Sequence, residues 1–161
     1  MDYPTADLCD KFSDELQFLE PMMFGDFGGK LEFCGPISTV KCFEDNSKVR
    51  EALEQPGQGR VLVVDGGGSD RCALMGDNVA QLLLDNDWAG ALIYGCIRDS
   101  GEIAEMDVAV KALATHPKKS NKQNIGEQDV PVRFGGVNFE PGHWLYADLD
   151  GVIISARELS L

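Results

Sequence analysis

The sequence predicts a compact α/β domain, a strand–helix–strand core flanked by hairpin-like segments, spanning residues 1–161 as one unit. Three observations predict it. Two apolar runs, "RVLVVD" and "AGALIYGCIRD", have the length and continuity of strands buried on both faces. Between them, "GDNVAQLLLDNDW" places apolar residues at helical spacing. Toward the C-terminus, three strand-like runs are separated by Gly-Gly, Pro-Gly and Asp-Gly turn signals.

In chain order, Thr5 is set to cap a short helix reaching about Leu16, with Leu8, Phe12 and Leu16 spaced four apart. "FGDFGGKLEFCGP" reads as glycine-rich loop and irregular strand. "ISTVKCFED" alternates Ile37, Thr39 and Lys41 against Ser38, Val40 and Cys42, as a strand does. Asn46 is placed to cap a helix through Leu53, which Pro56-Gly57 ends. The "RVLVVD" strand leads into three glycines. The next helix carries Asp77 in its first turn and runs through Val79, Leu82, Leu83 and Asn86. After the second buried strand, Glu102 to Asp107 forms a helical turn and "VAVKALATHP" alternates weakly. "KKSNKQNIGEQD" is polar and basic, an exposed loop.

Composition narrows the function. Apolar residues make up 43% and charged residues 25%, ordinary for a globular protein. The net charge of −13 is not ordinary, and a surface this acidic repels phosphate backbones, which argues against direct nucleic-acid binding. No apolar run approaches the roughly 20 residues that span a bilayer. "MDYPTADLCDKF" lacks the basic and apolar regions of a signal peptide. The five cysteines (Cys9, Cys34, Cys42, Cys72, Cys96) are scattered and form no CxxC pair, so reduced thiols in a cytoplasm are expected.

"RVLVVDGGGSD" invites a nucleotide-binding reading, which its spacing defeats. A dinucleotide fingerprint starting at Gly66 needs glycine where Arg71 stands. No Gly-Lys-Ser/Thr follows to make a phosphate loop, and Ser69 and Arg71 break an alternating-glycine methyltransferase loop. Gly66 to Gly68 therefore read as a tight turn, or as backbone left bare for a small group to approach.

The chemistry gathers one strand later, in "YGCIRDSGE". Arg98, Asp99 and Glu102 fall where a buried strand reaches the sheet edge, the usual place for ligands in open α/β sheets. A guanidinium clamps a carboxylate bidentately, and an adjacent carboxylate holds a divalent cation such as magnesium, which takes few protein ligands and keeps its waters. Together they suit a small α-keto acid with its carboxylate on Arg98 and its keto oxygen polarised by the metal. The helix start Gly76-Asp77-Asn78-Val79 offers N–H groups and a positive dipole end to the same anion, if the two strands are neighbours. A plain surface ion pair and an ordinary helix start are the simpler accounts of these residues. Lys41 or Lys111 as a Schiff-base nucleophile is a competing enzyme mechanism. His116 and His143 lie beside turn signals and read as solvent-facing. Cys72 and Cys96, with no histidine partner, read as packing residues.

The motifs "VKCFEDN", "GRVLVVDGGGSDR", "YGCIRD", "VRFGGVNF" and "LYADLDGVIIS", in this order over nearly the whole chain, resemble the regulator of ribonuclease activity A family. That family shares its fold with the class II 4-hydroxy-4-methyl-2-oxoglutarate aldolases. The resemblance implies a swivelling-type β/β/α domain, a homotrimer with sites near subunit contacts, and a divalent cation, magnesium or manganese. It implies that Arg98 binds substrate, that Asp99 ligates the metal with Glu102 behind it, and that Gly76, Asp77, Asn78 and Val79 form the substrate-binding loop. The interval from Gly76 to Arg98 is one residue longer than in the family's signature. The implied reaction is cleavage of 4-hydroxy-4-methyl-2-oxoglutarate to two pyruvates, with oxaloacetate decarboxylation as a side activity. The implied alternative, without catalysis, is an acidic regulator that binds and inhibits an RNA-degrading endonuclease.

Overall fold

A computed structural model describes residues 1–21 and 24–161. Four parallel strands form its centre: β3 (Phe33–Lys41), β4 (Val61–Asp65), β6 (Gly90–Ile97) and β7 (Val110–Thr115). The two apolar runs are thus neighbours in register, Val61 opposite Gly90 and Asp65 opposite Tyr94. On the β3 side the sheet continues antiparallel through β11 (Trp144–Ala147), β12 (Val152–Ser155) and β1 (Leu16–Phe18). At the other edge β2 (Gly25–Asp26) pairs with β7. Two short strands complete it, β5 (Ala73–Met75) beside β6 and β8 (Glu127–Gln128) beside β3. β9 (Val132–Phe134) and β10 (Val137–Phe139) form a separate hairpin.

Alternation along the central strands feeds two cores. Val61 and Val63 of β4 and Leu92 of β6 pack with Phe134, Phe139, Leu145 and Ile154 between the two β layers. Leu62 and Val64, with Ala91 and Ile93, face the helices α2 (Ser47–Leu53) and α3 (Asp77–Asp85) through Val49, Leu53, Val79 and Leu83. This is the β/β/α layering that the family resemblance implies. Burial on both faces explains why these strands are apolar throughout.

Several elements differ from the sequence expectation. The first helix, α1 (Thr5–Phe12), is followed by a 3-10 turn at Ser13–Glu15, and Leu16 belongs to β1. Thr5 is not its cap: Pro4 holds that position, while the Thr5 hydroxyl donates to Asp148 Oδ1 at 2.7 Å. β3 begins at Phe33, inside the segment read as glycine-rich loop and irregular strand, and it is regular from there to Lys41. β5 lies in a stretch with no strand pattern, and it exists because β6 offers it an edge. The tail holds four strands instead of three. The Glu102–Asp107 turn is α4 (Ser100–Ala104), shifted toward the N-terminus.

Candidate active site

The glycine turn and the Arg98–Asp99 turn end adjacent parallel strands, yet only one of them opens on a cleft. Gly67 and Gly68 have positive φ (68° and 70°), so the turn needs glycine there. The N–H groups of Gly66 and Gly68 both donate to the carbonyl of Tyr94, at 3.0 and 3.2 Å. A Cβ on Gly66 would lie 2.5 Å from Leu74 Cδ1 and 2.7 Å from the Tyr94 carbonyl oxygen. Gly66 and Gly68 thus make room for the chain's own Leu74 and Tyr94.

One strand later the geometry is open. Asp99 adopts the left-handed conformation (φ 54°, ψ 38°), which only short polar residues tolerate well outside glycine. It occupies the N-cap position of α4, but its carboxylate makes no bond to that helix. Instead Asp99 Oδ2 accepts the backbone N–H of Asp77, the first residue of α3, at 3.1 Å. A Cβ on Gly76 would sit 2.6 Å from that oxygen and 3.4 Å from Arg98 Nε. Gly76 is therefore glycine because Asp99 and Arg98 cross over its Cα, and the extra residue before Arg98 leaves this contact intact. The backbone N–H of Arg98 donates to Met75 O at 2.8 Å, tying β5 to the same turn.

The result is a cleft of about 80 Å³ bounded by Gly76 to Val79, Arg98 and Asp99, with Asn46 and Ser120 on the facing wall. The Val79 N–H has no acceptor among the described residues, a free donor at a helix start. Arg98 forms no ion pair among the described residues. Arg50, Lys119 and Lys122 also line the cleft, so this chain of net charge −13 concentrates cations at one opening. Glu102 is exposed on α4 and does not line it.

No group of three or more His, Cys, Asp or Glu side chains capable of holding a metal occurs among the described residues. A cation held by one carboxylate and its own waters fits the donor set: Oδ1 of Asp99 makes no hydrogen bond among the described residues, and magnesium is commonly held in this way.

The facing wall is built by a residue that sequence reasoning took for a helix cap. Asn46 does hold the N-cap position of α2, but its side chain makes no capping bond. Asp45 takes that role, accepting the Ser47 N–H at 2.9 Å through Oδ1. Its Oδ2 accepts the N–H groups of Gln123 and Ile125 at 2.8 and 3.2 Å, pinning the basic loop to α2. Burial alone would push the Asp45 carboxyl up; these hydrogen bonds and the Ser47 hydroxyl outweigh it and hold the group down at about 2. The signal in the sequence was the pair Asp45-Asn46, two capping residues for one helix end.

The competing nucleophiles lie elsewhere. Lys111 is buried, with Nζ 2.9 Å from Asp26 Oδ1 at the β7–β2 edge, and Lys41 is exposed at the end of β3. Neither lines the cleft. Cys72 and Cys96 are buried packing residues whose thiols burial pushes up, away from reactivity. His116 and His143 are half-buried and not fully solvent-facing; His116 Nδ1 accepts the Lys118 N–H at 3.1 Å. No helix of the described residues is long and apolar enough to cross a membrane.

Comparison with known proteins places this geometry in context. Residues 5–154 match the RraA-like (Aldolase/RraA) family model. A protein of Alkalilimnicola ehrlichii named "Putative 4-hydroxy-4-methyl-2-oxoglutarate aldolase" is 60% identical over 159 residues, covering 99% of this chain and 98% of its own. A Geobacillus kaustophilus crystal structure described as S-adenosylmethionine:2-dimethylmenaquinone methyltransferase superposes with a TM-score of 0.95 at 54% identity, over 98% of this chain and 97% of that one. The RNA-processing inhibitor RraA of Thermus thermophilus also superposes with a TM-score of 0.95, at 44% identity over 99% and 96% of the two chains.

Proposed function

Because the chain belongs to the RraA-like family, we propose that it is a divalent-metal-dependent class II aldolase that cleaves 4-hydroxy-4-methyl-2-oxoglutarate to two pyruvates and decarboxylates oxaloacetate. The observation that carries this reading is the crossing of Arg98 and Asp99 over Gly76, which sets an unpaired guanidinium beside a carboxylate at the start of α3. Relatives above 50% identity over nearly the full chain bear the aldolase name, which supports it.

Arg98 clamps the carboxylate next to the keto group, and the Val79 N–H and the α3 dipole add to its hold. Asp99 holds the cation, magnesium or manganese, which when bound supplies a Lewis acid at the keto oxygen. The Asp77 N–H fixes one oxygen of the Asp99 carboxylate and leaves Oδ1 without a partner among the described residues. Breaking the C3–C4 bond sends its electrons into the pyruvate enolate. The C4 hydroxyl loses its proton and becomes the ketone of the second pyruvate. Proton return to C3 balances the reaction with no other reactant. Lys119 and Lys122 offset the distal carboxylate, while Arg50 is paired with Glu54. Loss of CO₂ from oxaloacetate yields the same enolate. Glu102, exposed on α4, stands behind Asp99 and outside direct contact, and the cleft lies near a subunit contact of a homotrimer.

The methyltransferase description of the Geobacillus structure gains no support from this chain. Its glycine turn is closed onto Tyr94, and Ser69 and Arg71 interrupt the required spacing. A second reading is favoured by the net charge of −13 and the likeness to an RNA-processing inhibitor: an acidic protein that masks a ribonuclease. Salt-sensitive capture of a ribonuclease that survives Asp99→Ala supports that role.

A lactate-dehydrogenase-coupled assay for pyruvate tests the aldolase. Asp99→Ala should lower turnover on the order of a thousandfold, the scale of removing a main stabiliser of transition-state charge, and a chelator should abolish it reversibly. Pyruvate formation untouched by both would overturn the assignment.

A further inference from the structure

The loop that carries Lys122 has no regular structure of its own. Residues 121–126 lie in no helix or strand, and Lys122 is exposed there. What shapes the loop is the segment Glu44–Ser47 at the start of α2. The N–H groups of Gln123 and Ile125 donate to Asp45 Oδ2 at 2.8 and 3.2 Å. The Asn121 N–H donates to the Glu44 carbonyl at 3.0 Å, and the Asn124 N–H to Ser47 Oγ at 3.2 Å. The backbone is thus clamped on both sides of Lys122, and the tightest of these contacts ends on one carboxylate. Asp45 is 4% exposed, and a charge so buried is tolerated only when its oxygens are met by donors. Its Oδ1 meets the N–H and hydroxyl of Ser47 while Oδ2 meets the loop, so α2 and the loop share one ion. Lys119, the other lysine of the cleft, is held differently. It bridges to Ala73, whose N–H donates to the Lys118 carbonyl at 2.8 Å. Asp45 therefore governs Lys122 and spares Lys119.

We propose that Asp45 is a positioning residue: by pinning this loop it holds Lys122 at the cleft and so sets a preference for 2-oxo acids that carry a second, distal carboxylate. This deepens the aldolase reading and rests on it, and on the role given there to Lys122. Asp45 itself touches no substrate. A lysine already loses the freedom of a four-carbon stem when its ammonium meets a carboxylate. A loose loop would add the loss of backbone freedom to that, and the distal carboxylate would be held less well. The carboxylate beside the keto group depends on Arg98 and α3, so it is untouched by the anchor.

The probe is 4-hydroxy-4-methyl-2-oxopentanoate, in which a methyl group replaces the distal carboxylate. Breaking its C3–C4 bond gives one pyruvate and acetone, so the coupled pyruvate assay reads both substrates. The measure is the ratio of kcat/KM values, diacid over monoacid, within one preparation, which does not depend on how much of the sample is folded. The wild type should favour the diacid at least about tenfold, the scale of a hydrogen bond to a charged group. Asp45→Asn keeps the size of the side chain but sets an amide NH₂ against N–H donors on one side. The ratio should then fall roughly tenfold, the scale of ordering one residue's backbone, through a higher KM for the diacid. Gln123→Pro removes one loop donor, leaves the Ser47 contacts of Asp45 in place, and should act in the same direction. In a Lys122→Met protein neither change should lower the ratio further. Asp148→Asn loosens a different carboxylate anchor, the one that holds Thr5, and should leave the ratio as it is. A wild-type ratio near one overturns the proposal, as does a ratio that survives both Asp45→Asn and Gln123→Pro. A fall that persists in the Lys122→Met background, or that Asp148→Asn reproduces, overturns it too. Wild-type inactivity on both substrates defeats the aldolase reading and the proposal with it.

Discussion

Two strands pair with β6 in this molecule, and their ends do opposite things with glycine. At the end of β4, Gly66 and Gly68 fold back so closely that their N–H groups bond to the Tyr94 carbonyl and Leu74 fills the place of a Gly66 Cβ. At the end of β5, Gly76 leaves a gap that the Asp99 carboxylate crosses to reach α3. The first turn is rich in glycine and chemically silent. The second holds one glycine, and charge and free donors converge on it. Glycine content therefore says little about a site; what occupies the missing Cβ's place says a great deal.

Exchanging each glycine for alanine separates the two roles. Gly76→Ala drives a methyl group against Asp99 Oδ2, so activity should fall about a hundredfold, as when a reacting group is displaced by an ångström, with a melting temperature close to wild type. A normal kcat for that variant would break the comparison. Gly66→Ala presses on Leu74 and the Tyr94 carbonyl, and overpacking of this kind costs about 1–3 kcal/mol. Thermal denaturation should show a melting point several degrees lower, while kcat per folded molecule stays near wild type. A large loss of kcat without a loss of stability would show that the closed turn reaches the chemistry after all.

A finer test concerns the wall opposite the crossing. Asp45 anchors the basic loop, and its carboxyl is held at about 2, below its ordinary value of 3.8. A depressed carboxylate stabilises the fold fully above the unfolded value and loses that contribution as pH falls through the folded one. Denaturant unfolding should therefore show about 1–2 kcal/mol of stability disappearing between roughly pH 4 and pH 2. Asp45→Asn should flatten that part of the profile, and an unchanged profile would remove the anchor from the account.

Much of this was legible in the residues. The continuous runs at Val61–Asp65 and Gly90–Ile97 read as buried strands by their length, and the apolar spacing after Gly76 as a helix. Their order then places Arg98 and Asp99 at a sheet edge, where an α/β protein binds its ligands. Asn46 was legible as a helix boundary but not as part of a cleft. The sequence offers Lys111 as a Schiff-base nucleophile, and only the pairing of β2 with β7 sets Asp26 against it.

The sequence by itself determined the central strands, the helix between them and the turn that bears the arginine–aspartate pair. Those signals are periodic and local, set by which faces must leave water. The tertiary structure alone decided that β5 pairs with β6, that Asp99 serves α3 instead of its own helix, and that the Asn46 amide donates to the Leu74 carbonyl. Each of these is a contact between segments distant in the chain. Hydrogen bonds and missing Cβ atoms of that kind are defined by where the backbone arrives, and local sequence patterns carry no record of it.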